Sequence, residues 1–453
     1  MVFSSFTFLF LFFPVVLALY YAFPSIRLKT LVLLISSIFF YAWGELGYTW
    51  VMIITIILGY GFGLLIERQK NKKLFLTVGI SLLLGLLIYF KYANFIAANL
   101  KLPLEKIHLP LGISFFVFQA ISYLIDIYRK ELPAQKNILT FAMYKSFFPQ
   151  LIAGPIVRYK DIASDIEKRK ISLSNFASGS EKFIYGLAQK VLLANTIGQA
   201  SEKIFLLPTN ELSALTAWFG ALCYMFQIYF DFCGYSNMAI GMAKMFGFNF
   251  KENFNYPYTA TSITDFWRRW HISLSTWFRD YVYIPLGGNR VSVRKNYLNL
   301  YLVFILCGLW HGASWNFLIW GLWHGTFLAI EKKGITLKLP RILNHIYVWL
   351  VVLIGWVIFR NEELPYTINY LKVMFNLNIY RNALSIEEFY SIKLIITFIF
   401  AFLLSFPSWL WLQKLFKERI SNIVSVIFIS FILLLSLFNL AENSFNPFIY
   451  FRF

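Results

Sequence analysis

Long apolar runs alternate with short polar turns along the whole 453-residue chain. The runs are Phe3–Phe23, Leu31–Trp43, Trp50–Ile66, Leu74–Phe90, Leu212–Phe230, Tyr297–Leu309, Phe317–Ile330, Tyr347–Phe359, Leu394–Leu412 and Ile423–Leu440. Crossing a hydrocarbon layer of about 30 Å takes about 20 residues of helix. At that depth every backbone N–H and C=O must be satisfied inside a helix or a closed barrel. These runs are too long and too continuous for barrel strands. The pattern therefore predicts an all-α polytopic membrane protein, built as a single membrane domain over residues 1–453, and the shorter runs predict broken or re-entrant helices.

Two regions depart from the simple alternation. From Leu109 to Tyr159 apolar residues are mixed with Pro, Gly, Gln and Asp, a composition tolerated at membrane depth only where protein or a watery cavity surrounds it. Broken helices are expected there. From Ile263 to Ile284 (ITDFWRRWHISLSTWFRDYVYI) aromatic pairs alternate with Arg268, Arg269, Arg279 and Asp280. Read as one helix the segment is amphipathic, suited to the membrane interface or the wall of a cavity.

Composition sharpens this reading. With 59% hydrophobic and 14% charged residues the chain cannot cover a soluble core with a water-facing surface. The formal charge of +19 would suit nucleic acid, but the basic residues cluster at Arg27–Lys29, Glu67–Lys73, Glu331–Lys338 and Gln413–Arg419, as turns on the positive-inside face do. No nucleic-acid partner is expected; membrane lipids are. With those turns in the cytoplasm, the N-terminus and the C-terminus are both extracytoplasmic. The first run lacks a basic leader and a small-residue cleavage site, so it reads as a retained helix, with the mature chain expected to start at Met1. Cys223, Cys233 and Cys307 lie in apolar stretches without CxxC spacing and read as packing residues, neither disulfide framework nor metal site.

Chemistry-bearing residues are few. The five histidines are His108, His271, His311, His324 and His345. His311 sits in VFILCGLWHGASWNFLIW, where an ionisable group is costly and marks either a function or a hydrogen bond that ties helices together. His271 lies forty residues earlier, in WRRWHIS. His324 follows thirteen residues after His311; on one uninterrupted helix the two would be roughly 20 Å apart on nearly opposite faces, so His324 reads as structural. His108 and His345 stand in loop-like contexts. There is no GxSxG, HExxH, glycine-rich phosphate loop or useful carboxylate pair, and no metal site. What remains is a histidine kept neutral by apolar surroundings, able to take a proton from an attacking hydroxyl. The C-terminal NPFIYFRF suits an interfacial anchor.

The run FDFCGYSNMAIGMAKMFGFNFKENFNYPYTATSITDFWRRWHISLSTWFRDYVYIPLGGNR, followed by LWHGASWNFLIWGLWHG, resembles the membrane-bound O-acyltransferases. It is similar to the bacterial branch that O-acetylates cell-envelope polysaccharides, including alginate and peptidoglycan. LPLGISFFVFQAISYLIDIYR and SFFPQLIAGPIVRY match that branch too, so the likeness covers most of the chain from about residue 38 to 331, together with the tail.

The resemblance implies about eleven transmembrane helices, with re-entrant or interfacial helices, around a central tunnel in the bacterial inner (cytoplasmic) membrane. It implies His311 as the catalytic histidine and His271 as its upstream partner. The acyl group would come from acetyl-CoA as a donor substrate, with no resident cofactor. Arg268, Arg269, Arg279 and Arg290 are candidates for the anionic donor, equally explained by the positive-inside bias or by pairing with Asp265 and Asp280. Residues 445–453 resemble the branch's aromatic acyl-carrier motif, with Tyr450 as carrier. A periplasmic esterase-like (SGNH) protein would then deliver the acetyl group to a glycan. Peptidoglycan is the expected acceptor, with alginate or another exopolysaccharide as the alternative. A motif on the chain's own tail argues against the D-alanyl teichoic acid member. Outside the resemblance, a transporter with His311 as a proton or gating residue, or a scaffold that docks a partner on the tail, would use the same broken helices.

Overall fold

The computed structural model describes residues 1–152, 154–334, 340–377, 384–408, 418–442 and 445–449. Among them the secondary structure is helical, and the only extended pairing is an isolated bridge between Leu212 and Leu384. The backbone separates into two compact units, Met1–Phe183 with Tyr235–Glu252, and Ile184–Gly234 with Asn253–Phe453. Four apolar helical stretches among the described residues are long enough to cross a membrane: Ile26–Arg68, Lys72–Leu100, Arg341–Arg360 and Ile423–Glu442. Shorter apolar helices cover Phe8–Ala22, Ile113–Tyr128 and Ile392–Leu404.

The first unit begins with α1 (Phe13–Ala22), α2 (Ile26–Glu45), α3 (Thr49–Arg68) and α4 (Lys72–Leu100). Pro14 has no amide hydrogen to give, and the turn before it, Thr7–Phe12, widens to π geometry. Ser25 caps α2 by accepting the amide of Leu28 at 3.2 Å. Large apolar side chains such as Ile35 and Ile57 remain exposed, as they can where lipid is the solvent.

The broken helices expected over Leu109–Tyr159 are present. They are α5 (Ile113–Tyr128), α6 (Ile138–Ser146) and α7 (Phe148–Leu151), followed by α8 (Tyr159–Glu167). Gly112 opens α5 at φ +73°, and a Cβ there would stand 2.6 Å from the Leu151 carbonyl oxygen, so only glycine fits. Nearly all of α5 is buried, and its polar residue Asp126 pairs with Lys160 at 3.1 Å. For Asp126 this shows how such composition is tolerated: the charge is answered inside the protein.

The second unit holds the histidines singled out in the apolar and WRRWHIS segments. It receives α9 (Leu173–Ala188) and α11 (Ala214–Met245) in part, and contains α10 (Asn195–Phe205), α12 (Ile263–Arg269), α13 (Ile272–Phe278), α14 (Val293–His311), α15 (Trp315–Lys332), α16 (Arg341–Arg360), α17 (Leu364–Met374), α18 (Ile392–Leu404) and α19 (Glu418–Glu442). The apolar run Leu212–Phe230 becomes the 32-residue α11, because Asp231, Ser236 and other polar residues that end the run in sequence continue the same helix. Helices α14 and α15 approach backbone to backbone. A Cβ on Gly308 would lie 2.1 Å from the Phe317 carbonyl oxygen, and one on Gly321 2.3 Å from that of Phe304. Small residues at a helix crossing are how membrane helices gain packing without a hydrophobic driving force.

Candidate functional site

His311 is the last residue of α14 and is 4% exposed. The helix ends there because Gly312 leaves it for an extended conformation and α15 restarts only at Trp315. The single helix that would separate His311 from His324 by roughly 20 Å is therefore absent. Both rings instead pack against Trp320, with centroids 5.2 Å from His311 and 5.0 Å from His324. Phe359 closes another side of His311, edge-on at 5.0 Å. His324 is fully buried, stands edge-on to Trp267 at 4.9 Å, and has no hydrogen-bond partner for either ring nitrogen among the described residues. Gly355 makes room for it, since a Cβ there would meet His324 Nε2 at 2.6 Å.

His271 is 1% exposed and sits at a break in the chain. The amphipathic helix expected over Ile263–Ile284 is in fact two short helices, α12 and α13, and a π turn at Arg279–Tyr283. The break arises because residues 253–255 run beside it and take its backbone bonds. The Asn255 amide donates to the Arg269 carbonyl at 2.9 Å, and the Ile272 amide to the Asn253 carbonyl at 2.9 Å. His271 itself adopts φ +43°, the left-handed region that histidine enters more readily than most residues. At the start of α12, the Thr264 amide and hydroxyl donate to Glu331 of α15 at 2.9 and 2.7 Å, placing a carboxylate on the helix's positive end.

The side chain of Asn253 fixes the His271 imidazole. Its Oδ1 accepts the Ser273 amide at 3.1 Å and the Ser273 hydroxyl at 2.9 Å, which identifies the oxygen. His271 Nδ1 lies 3.3 Å from that oxygen. An acceptor there assigns the ring proton to Nδ1 and makes Nε2 the basic nitrogen. Phe232 of α11 packs edge-on against the ring at 4.7 Å. Trp310 connects the two histidines, with centroids 5.8 Å from His271 and 5.0 Å from His311. Two imidazoles thus flank one indole in an apolar surround. No group of three or more His, Cys, Asp or Glu side chains able to hold an ion occurs among the described residues.

The arginines divide. Arg269 Nε binds both carboxylate oxygens of Asp265, at 3.0 and 2.9 Å, and Arg279 Nε binds Asp280 at 2.7 Å. Both pairings match the structural alternative to donor binding. Arg268 and Arg290 are exposed. Tyr450 lies outside the described residues, whereas Phe448 and Ile449 just before it are buried. His108 pairs with Glu45 at 3.0 Å, and His345 Nδ1 lies 3.0 Å from the Ala260 carbonyl oxygen.

Asn253 is a residue that sequence reasoning passes over, because KENFNYP gives no periodic or spacing signal; only its pairing with 271–273 reveals it. Asn253→Ala should free the His271 ring to change tautomer and rotate. Activity is expected to fall about tenfold to a hundredfold, the scale seen when a metal-ligating imidazole loses its outer hydrogen bond, with the midpoint of thermal unfolding lowered only modestly. Equal activity in the variant would remove Asn253 from the site.

Comparison with known proteins agrees with the motifs. The model of the MBOAT, membrane-bound O-acyltransferase family, matches residues 19–338 and so spans both units. The chain is 44% identical over 393 residues to the probable alginate O-acetylase AlgI of Azotobacter vinelandii, covering 83% of this chain and 78% of that protein. To the peptidoglycan O-acetyltransferase of Helicobacter pylori it is 36% identical over 388 residues, 76% of this chain and 73% of the other. The teichoic acid D-alanyltransferase of Bacillus subtilis matches at 33% over 227 residues, 45% of this chain and 54% of that one.

Proposed function

Because the chain belongs to the membrane-bound O-acyltransferase family and is a multi-pass membrane O-acetyltransferase, we propose that it is the membrane step of a covalent acetyl relay. Acetyl-CoA binds from the cytoplasm, with Arg268 and Arg290 attracting its phosphates. The basic nitrogen of His311 takes the phenolic proton of Tyr450. The phenolate oxygen attacks the thioester carbonyl, the C–O bond forms as the C–S bond breaks, and the imidazolium returns its proton to the departing coenzyme A thiolate. His271, held by Asn253, offers Nε2 as a second acceptor beside the same indole. A phenol has a pKa near 10, so its acetyl ester is a better leaving group than an alkyl ester and keeps much of the thioester's transfer potential. On the extracytoplasmic face an SGNH esterase-like partner takes the acetyl group onto its serine, the phenol is released, and a glycan hydroxyl receives the group. The enzyme resides in the bacterial inner membrane with both termini outside.

The observation that carries this reading is the path of the tail. Ile449 donates its amide to Asp231 of α11 at 2.8 Å, and the next residue of that helix, Phe232, is the ring packed on His271. The residue before Tyr450 is thus tied to the same helical turn as a candidate catalytic imidazole. The sequence alone leans towards peptidoglycan as acceptor. Identity of 44% to an alginate O-acetylase against 36% to a peptidoglycan enzyme moves the proposal to an exopolysaccharide hydroxyl.

An acceptor on the chain itself gives a distinctive time course. Purified protein mixed with acetyl-CoA and no partner should release free thiol in a rapid burst of a single equivalent per chain, then stop apart from slow hydrolysis. A transporter or scaffold would release none. Steady release with no burst would show direct transfer to water and contradict a carrier on the chain.

A further inference from the structure

Lys190 and Asp231 form an ion pair of 2.7 Å whose side chains are 1% and 2% exposed. Burying two charges costs more than their attraction returns unless the remaining donors and acceptors are all satisfied. Here the C-terminal segment answers part of that demand, supplying one acceptor to the lysine and one donor to the aspartate. The Lys190 ammonium has three donors, and its neighbours are Asp231, the Asn195 side-chain oxygen at 2.7 Å and the main-chain carbonyl of Pro447. Asp231 uses its second oxygen to accept the Ile449 amide at 2.8 Å. Asn195 donates to the Asn446 side chain at 3.2 Å, and Phe448 and Ile449 bury their side chains alongside.

The place is built by close helix crossing. Lys190 stands on a π turn, Gln189–Ala194, between α9 and α10, and such turns recur at functional sites. A Cβ on Gly234 of α11 would come within 2.6 Å of the Gly186 carbonyl oxygen and 2.9 Å of the Lys190 amide nitrogen. A Cβ on Gly198 would come within 2.6 Å of Gln227. Glycines at both crossings let the two helices touch, which brings the lysine and the aspartate together.

We infer that Lys190 and Asp231 are a seat for the chain's own C-terminal segment, gripping the main chain at Pro447 and Ile449 and so fixing where residue 450 is presented. The grip stands on these contacts; its consequence for catalysis rests on the reading of Tyr450 as acyl carrier. A charged seat suits the task because an extended segment inside a membrane protein carries polar main-chain groups that no helix satisfies. Lys190 and Asp231 are positioning residues in this account and do not touch the acetyl group.

Accessibility of the tail provides the test. Ile449→Cys is introduced into the full-length chain, where Cys223, Cys233 and Cys307 are buried and give little background, and the introduced thiol is reacted with a polar maleimide. With Lys190 and Asp231 intact it should be protected. In Asp231→Asn, and in the double variant Lys190→Met with Asp231→Leu, labelling should accelerate about tenfold to a hundredfold, the scale of one lost charge-assisted hydrogen bond. The double variant leaves no unpaired charge, so it tests the seat even where the single variant folds poorly. In the same backgrounds without the cysteine, acetylation of Tyr450 should fall while acetyl-CoA binding is unchanged, and Asp231→Glu should restore part of it. Unchanged labelling in variants that remain monodisperse would overturn the seat. Faster labelling together with no acetyl on Tyr450 even in wild type would leave the seat standing and remove the carrier.

Discussion

His311→Gln is expected to bind acetyl-CoA with unchanged affinity and to transfer its acetyl group about 10²- to 10⁴-fold more slowly, the range for loss of a general base. Glutamine is the informative replacement. The imidazole fills a space bounded by Trp320 at 5.2 Å and Phe359 at 5.0 Å, both edge-on, and alanine would add a cavity penalty to any chemical effect. Glutamine keeps most of the volume and the capacity to hydrogen-bond, but cannot accept a proton near neutral pH. Single-turnover transfer and acetyl-CoA binding, measured on the same preparation, separate the two roles. A variant that loses binding and thermal stability together, with the rate of bound donor unchanged, would make His311 a packing residue that ties α14 to α15.

Tyr450→Phe is expected to remove transfer to the partner altogether, leaving only the uncatalysed rate. The change deletes one oxygen and keeps the ring, and the Pro447 and Ile449 main-chain contacts do not involve the altered atom. No other hydroxyl replaces it within the motif FIYFRF, whose remaining residues are apolar or arginine. The measurement is transfer of label from acetyl-CoA to the purified partner, compared with wild type at equal donor occupancy. Retention of more than a few per cent of the rate would show that the acetyl group passes directly from coenzyme A to the partner.

The apolar runs were readable because hydrocarbon imposes a length and forbids unsatisfied backbone, so long helices such as α4 and α16 leave a direct imprint on sequence. The broken region around α5 was equally legible, since Gln119 and Asp126 at membrane-like hydrophobicity demand protein neighbours, and both are buried. Helix breaks created by tertiary pairing were not legible. WRRWHIS reads as continuous amphipathic helix, and only the bonds from Asn253 and Asn255 explain why it stops at Trp270 and puts His271 in the left-handed region. The turn after His311 is similar: Gly312 and Ser314 hint at it, yet the close passage of Gly308 and Gly321 decides it. The sequence nominates His311 by the cost of an imidazole in apolar surroundings and by family motif, and His271 by family motif alone. It could not nominate Asn253, Lys190 and Asp231, because their significance lies in partners 18, 257 and 218 residues away.

The position of the acetyl group on the chain decides the central claim. Wild-type protein, exposed to labelled acetyl-CoA without partner and then digested, should carry the label on the peptide containing Tyr450, as an ester cleaved by mild hydroxylamine. Adding the partner should discharge it at the rate the partner becomes labelled. Label on any other residue, or a partner acetylated at full rate while Tyr450 stays unmodified, would contradict the relay.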